Sequence, residues 1–165
     1  MALTKEETVV LADLLWKMEW PLSSDVFHAL MAKAVSVPIE LCVLNNKGEV
    51  LMFYRKDPEY DGYNMPGTVL RDTDTVDVAL KRLVEKEVRA EITTPIAIGW
   101  MELPRGIGWG MDPARHEISL IHVSHLVGEY TGEGKFFPMG KLPEHTIVHH
   151  RKYMVMIQEY LKKAS

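Results

Sequence analysis

The chain has 165 residues, with 19 Lys and Arg against 23 Asp and Glu and a formal charge of −4. That length suits one domain with its own core, and a mildly acidic balance without a basic stripe argues against nucleic acid or an anionic membrane as the main partner. The single cysteine, Cys42, excludes an internal disulfide framework and a thiolate-rich metal site, and it suits a reducing cytoplasm.

The N-terminus mixes Lys5, Glu6 and Glu7 with apolar residues, so it lacks a signal-peptide layout, and no apolar run approaches membrane-spanning length. No internal period recurs. Thr4 is placed to cap a helix over 6–18, with Val9, Val10, Leu14 and Leu15 on one stripe. Pro21 ends that region, and Ser23 or Ser24 caps a second helix carrying Val26, Phe27, Leu30 and Met31. Residues 1–36 therefore read as a helical hairpin, either packed on the domain or forming a dimer surface, and residues 37–165 as the main domain. From Val37 the pattern turns to β-branched and apolar residues: a strand over 39–44, the turn Asn45-Asn46-Lys47-Gly48, and a strand over 49–54. A polar loop, a short strand over 68–70 and a strong helix over 75–89 follow, the helix with Val76, Ala79, Leu80, Leu83, Val84 and Val88 on one face. Strands are expected over 96–102 and 118–127 and near Phe136, then a last helix over about 149–163. This order implies a mixed β-sheet between helices, α/β or α+β in class.

The sharpest pattern lies between Gly62 and Ala90. It runs Gly62-Tyr63-Asn64-Met65-Pro66-Gly67, then Asp74, then Arg82-Leu83-Val84-Glu85-Lys86-Glu87 on the helix. The stretch resembles the Nudix box, G-x5-E-x7-R-E-U-x-E-E-x-G-U with U apolar, preceded by an aromatic-containing turn ending in Pro-Gly. Seven residues separate Asp74 from Arg82, as that motif requires, while six rather than five separate Gly67 from Asp74. The resemblance to the Nudix hydrolase superfamily extends from about Val37 to Leu161 and implies the Nudix fold, with the N-terminal hairpin as an addition.

The departures fall on the chemistry. Leu83 stands where the motif has the glutamate after arginine, Lys86 where it has the first of the paired glutamates, and Arg89 where it has the closing glycine. Glu87 survives at the second position of the pair. The resemblance implies that Glu87 and the Gly67 carbonyl hold Mg²⁺, with Mn²⁺ as a substitute. Such an ion keeps several waters and shares substrate phosphate oxygens. It also implies that Arg82 belongs to the catalytic constellation, paired with Asp74 to join loop and helix. A leucine after the box arginine, with only the second glutamate retained, is similar to the GDP-mannose mannosyl hydrolase branch, in which a loop histidine is the base. Here the loop 105–117 offers His116 as base and Glu117 as a further metal ligand. His145, His149 and His150 are the rival supply. Arg55, Tyr63, Trp109 and Arg115 are the candidates for substrate contact, through arginine forks on phosphate and ring stacking.

Each assignment has a plainer counterpart. Glu87 would be a solvated helix residue in an arbitrary helix, and Glu85 at the unspecified position reads as surface. His122 and His125 point to opposite faces of one strand, so at most one can face a given site. Gly106-Ile107-Gly108-Trp109-Gly110 lacks a following lysine and helix, and reads as a loop rather than a phosphate cradle. Two functions follow: a Mg²⁺-dependent hydrolase of a nucleoside diphosphate linked to another group, nucleotide sugars foremost, or a Nudix-fold nucleotide-binding or regulatory module without turnover.

Overall fold

The computed structural model describes residues 2–57, 60–106 and 115–164. The chain divides into two units, Met1–Leu30 and Met31–Ser165. In the first, α1 (Lys5–Lys17) starts at a capping box: the Thr4 hydroxyl accepts from the Glu7 amide, while the Glu7 carboxylate accepts from the Thr4 amide at 2.8 Å. α2 (Ser24–Met31) follows, and Trp20 meets Phe27 edge to face at 6.3 Å between centroids. α1 buries none of its residues, and Trp16 is 90% exposed.

The second unit is an eight-stranded mixed sheet. Its strands are β1 (Val35–Ser36), β2 (Pro38–Leu44), β3 (Glu49–Lys56), β4 (Asp61–Asn64), β5 (Gly67–Val69), β6 (Ile96–Leu103), β7 (His116–His125) and β8 (Lys135–Pro138). Between β5 and β6 lies α3 (Val76–Leu83), continued by a wider turn to Val88, and α4 (Val148–Ala164) closes the chain. β1 and β2 both run parallel to β7, with Leu41 opposite His122. All seven residues of β2 are buried, as expected of a strand covered on both faces. Its alternation divides the core. Cys42 and Leu44 join Ile121, Val123, Tyr153, Met154 and Ile157 on the α4 face, while Ile39, Leu41 and Val43 join Ala79, Leu80, Leu83 and Val88 on the α3 face. Cys42 is completely buried, which pushes its thiol up to about 12.

Two short strands escaped the sequence pattern. β1 has too few residues to show a period, and β4 lies in what reads as a polar loop. β4 forms because Tyr54, Arg55 and Lys56 find partners in Tyr63, Gly62 and Asp61. One feature of the ladder shapes the site. β2 pairs with β3 beside the hairpin turn, at Leu44 and Val50, but with β5 further back, from Pro38 to Glu40. The far half of β3 therefore leaves β2 and joins β4. Among the described residues no helix is long and apolar enough to cross a membrane.

Candidate functional site

In the β2–β5 ladder Leu41 donates to the Pro66 carbonyl and Leu70 to the Val37 carbonyl. Glu40 and Gly67, between these bonded pairs, therefore form a non-hydrogen-bonded pair, and both polar groups of Gly67 face away from β2. That outer edge is where the helix end meets the strand: the Gly67 amide donates to Glu87 Oε2 at 3.2 Å. The Gly67 carbonyl faces the same way, so carbonyl and carboxylate share one edge. Desolvation of the carboxylate against the strand raises the Glu87 pKa, opposed by the Gly67 amide and by Arg55. The residue itself stays open to water.

Arg82 fixes this arrangement. It donates to Asp74 Oδ2 at 2.6 Å and to the Val69 carbonyl at 3.0 Å, tying α3 to the loop and to β5. Asp74 also accepts from the Arg71 amide at 3.0 Å, closing a turn before Thr75 caps the helix. Its hydrogen bond from Arg82 holds the Asp74 carboxyl below the usual carboxylate range. Arg82 is thus a positioning residue. Beyond Leu83 the helix widens, and the Arg89 amide reaches back five residues to the Val84 carbonyl at 2.7 Å. Wide turns of this kind re-aim side chains and recur at functional sites. Arg89 itself is left-handed, at φ 52°.

A cavity of about 850 Å³ opens beside this edge, lined by Phe53, Tyr54, Arg55 and Lys56 of β3, Asn64, Gly67, Lys86, Glu87, Arg89, and Thr131, Gly132 and Glu133. It lies between the far half of β3 and the Gly67–Glu87 edge. Of the residues expected at the site, the cavity gathers Arg55, Gly67 and Glu87. Arg55 lies 4.4 Å over the Tyr60 ring and pairs with Asp57. Tyr63 is turned into ring contacts with Tyr54 and Phe137, at 5.1 and 5.2 Å between centroids. Arg115 is buried against Glu117 at 3.0 Å and Tyr60. Trp109 lies outside the described residues.

The loop reading of His116 and Glu117 needs correction. Both belong to β7, so alternation sends them to opposite faces. Glu117 is buried on the α4 face, held by Arg115 and Ser36, and His116 lies 3.0 Å from Glu102 of β6 across the other face. Neither lines the cavity. His149 and His150 are buried in the core, and the Met65 amide donates to His150 Nδ1 at 3.3 Å.

Sequence reasoning passed over Glu40 and Glu133. Glu133 lines the cavity from the loop before β8. Glu40 is 7% exposed, and its Oε2 finds no hydrogen-bond partner. Burial raises its pKa well above the carboxylate range, helped by Glu117 and Glu87 and opposed by Arg55. Burial, and then His149 and Arg55, lower the His150 pKa well below the usual imidazole value. Glu40 Oε2 lies 3.8 Å from His150 Nδ1. One charged residue inside an otherwise apolar strand was the available signal.

Among the described residues no three His, Cys, Asp or Glu side chains converge closely enough to hold a metal ion. The Gly67–Glu87 edge suits one hard cation bound by a carboxylate and a carbonyl, with water and phosphate oxygens completing its shell.

No model of a known protein family matches the sequence, and no curated protein sequence does. Solved structures do match. The MutT Nudix hydrolase of Burkholderia pseudomallei superposes with a TM-score of 0.63 at 16% identity, over 76% of this chain and 99% of that one. The Nudix domain of Shewanella oneidensis NrtR, complexed with ADP-ribose, superposes at 0.62 and 11% identity, over 96% of this chain and 99% of that one. The chain has the Nudix fold. An ADP-ribose pyrophosphatase of Streptococcus suis gives 0.56 at 14% identity, over 78% and 92% of the two chains. Within this Nudix fold, Gly67, Arg82 and Glu87 form one connected edge, with Lys86 and Arg89 added beside it.

Proposed function

We propose that the cavity takes a nucleoside diphosphate linked to a second group, a nucleotide sugar foremost, and hydrolyses it with Mg²⁺ or Mn²⁺. The observation that carries this reading is the Glu87 carboxylate fixed on Gly67 at 3.2 Å, at the edge of a cavity large enough for such a ligand. The ion, when bound there, would neutralise charge on the phosphate oxygens. Glu87 and the Gly67 carbonyl hold it; Arg82 keeps them in register. Arg55 reaches phosphate from β3, and Tyr54 and Phe53 offer ring surface to a base or sugar. Glu133, inside the cavity, qualifies to take the proton of the attacking water, while His116, held by Glu102 outside the cavity lining, is the rival. A reducing cytoplasm and a homodimer formed through α1 complete the proposal.

The test is a panel of nucleotide sugars, ADP-ribose among them, with dinucleotides and nucleoside triphosphates, assayed with Mg²⁺ and Mn²⁺. Release should fall roughly 100-fold in Glu87→Gln, the scale of one lost transition-state charge contact. Comparing Glu133→Gln with His116→Gln identifies the base. A second reading, binding without turnover, is favoured by one observation: the departures Lys86 and Arg89 both face the cavity. Nucleotide binding with no release at any metal concentration would establish it and sink the hydrolase.

A further inference from the structure

The cavity is cationic on an acidic protein. Among the described residues, Arg55, Lys56, Lys86 and Arg89 line it against two carboxylates, Glu87 and Glu133, while the chain as a whole carries −4. Two of these cations come from β3 and two from the end of the widened helix. Cations at a helix C-terminus are ordinary, because they meet its unpaired carbonyls. That explanation does not cover Arg55 and Lys56, which line the cavity from a separate strand, where Arg55 also pairs with Asp57 and Lys56 lies 3.7 Å from Asp61. Lys86 and Arg89 also stand where the Nudix box that this stretch resembles has a glutamate and a glycine. The Arg89 Nε donates to the Lys86 carbonyl at 3.0 Å, which anchors the guanidinium and sets the direction of its fork. Arg89 holds this place at the expense of a left-handed backbone.

We infer that Lys86 and Arg89, with Arg55 and Lys56, hold the diphosphate of the ligand directly, so that binding does not require a divalent ion. Ammonium and guanidinium groups supply the positive charge that a metal cluster would otherwise bring, and the arginines add bidentate geometry suited to phosphate oxygens. The inference rests on the proposed nucleotide site and deepens it: in this chain the cations suffice to hold the ligand, and a metal at Glu87 is required only for turnover.

Isothermal titration of the full chain with inorganic pyrophosphate, in EDTA and then in Mg²⁺, tests this. Binding in EDTA is expected, weakening as salt screens the charges. Lys86→Gln and Arg89→Gly should each weaken it about tenfold, the scale of one charge-assisted contact. Both variants should fold, since Lys86 is exposed and glycine suits the φ of 52° at position 89; a thermal melt checks this. The double variant Lys86→Glu, Arg89→Gly takes the lining from two net positive charges to one negative. It should lose binding in EDTA and recover it with Mg²⁺. Wild-type binding that appears only with Mg²⁺, or metal-free binding unchanged in the variants, overturns the inference while leaving the nucleotide site standing. Failure to bind pyrophosphate or any nucleoside diphosphate with or without metal removes both.

Discussion

Arg89 illustrates how one residue can weaken a fold while equipping a site. A side chain in the left-handed region costs on the order of 1 kcal/mol relative to glycine. Arg89→Gly should therefore stabilise the protein by about that amount in urea unfolding, even as phosphate affinity falls; a loss of stability would show that the side chain is needed for packing. Glu40 raises a similar conflict. Its pKa is raised in the fold, so the native state keeps a proton that the unfolded chain releases once pH passes the ordinary carboxylate value. The stability this group contributes is complete below that value and declines as pH rises towards the folded pKa. Glu40→Gln mimics the protonated form and should flatten the decline, adding about 1 kcal/mol or more near neutral pH. Unfolding curves at acidic and neutral pH decide it, and an unchanged slope would place the titration elsewhere.

Gly67 links residue and element. A Cβ there would stand 2.9 Å from Glu40 Oε2 and 3.2 Å from Oε1, with Glu40 walled in on all sides. Gly67→Ala should cost about 1–3 kcal/mol through overpacking, and most of that cost should vanish in a Glu40→Ala background, as a double-mutant cycle would show. The Arg82 latch belongs to the same edge. Arg82→Ala removes the guanidinium donors from the Val69 carbonyl and from Asp74, which keeps only the Arg71 amide, so a loss of about 2 kcal/mol is expected, together with weaker nucleotide binding. These elements were readable in the sequence to different degrees. α3 and β2 announced themselves by period and by apolar run, and the Asp74–Arg82 pair by spacing. The start of β7 did not, because His116 and Glu117 are polar residues that become strand only through their partners Val35, Ser36 and Leu103. The departure of β3 from β2 was likewise hidden, since pairing choice leaves no mark on a strand's own pattern.

At the scale of the molecule, the Nudix fold was visible from the order of elements, whereas the cavity was not. Its lining comes from β3, the end of the helix and residues 131–133, which only the folded sheet brings together. The N-terminal unit poses the larger question. Val9, Val10, Leu14 and Trp16 of α1 are 62%, 59%, 55% and 90% exposed, more apolar surface than a lone helix usually presents to water. A homodimer through α1 would cover it, and sedimentation velocity should then show twice the chain mass, reverting to the monomer in Val10→Glu with Leu14→Glu. A wild-type monomer at all concentrations would end that reading.

The completely buried Cys42, in a chain with one cysteine, gives the protein a built-in clock. A maleimide or a mixed-disulfide reagent can react only when β2 is uncovered, because neither access nor thiolate exists while the sheet is closed. The labelling rate under native conditions therefore reports how often the central strand opens, without any engineered probe. Ligands that slow the labelling do so by holding the sheet shut.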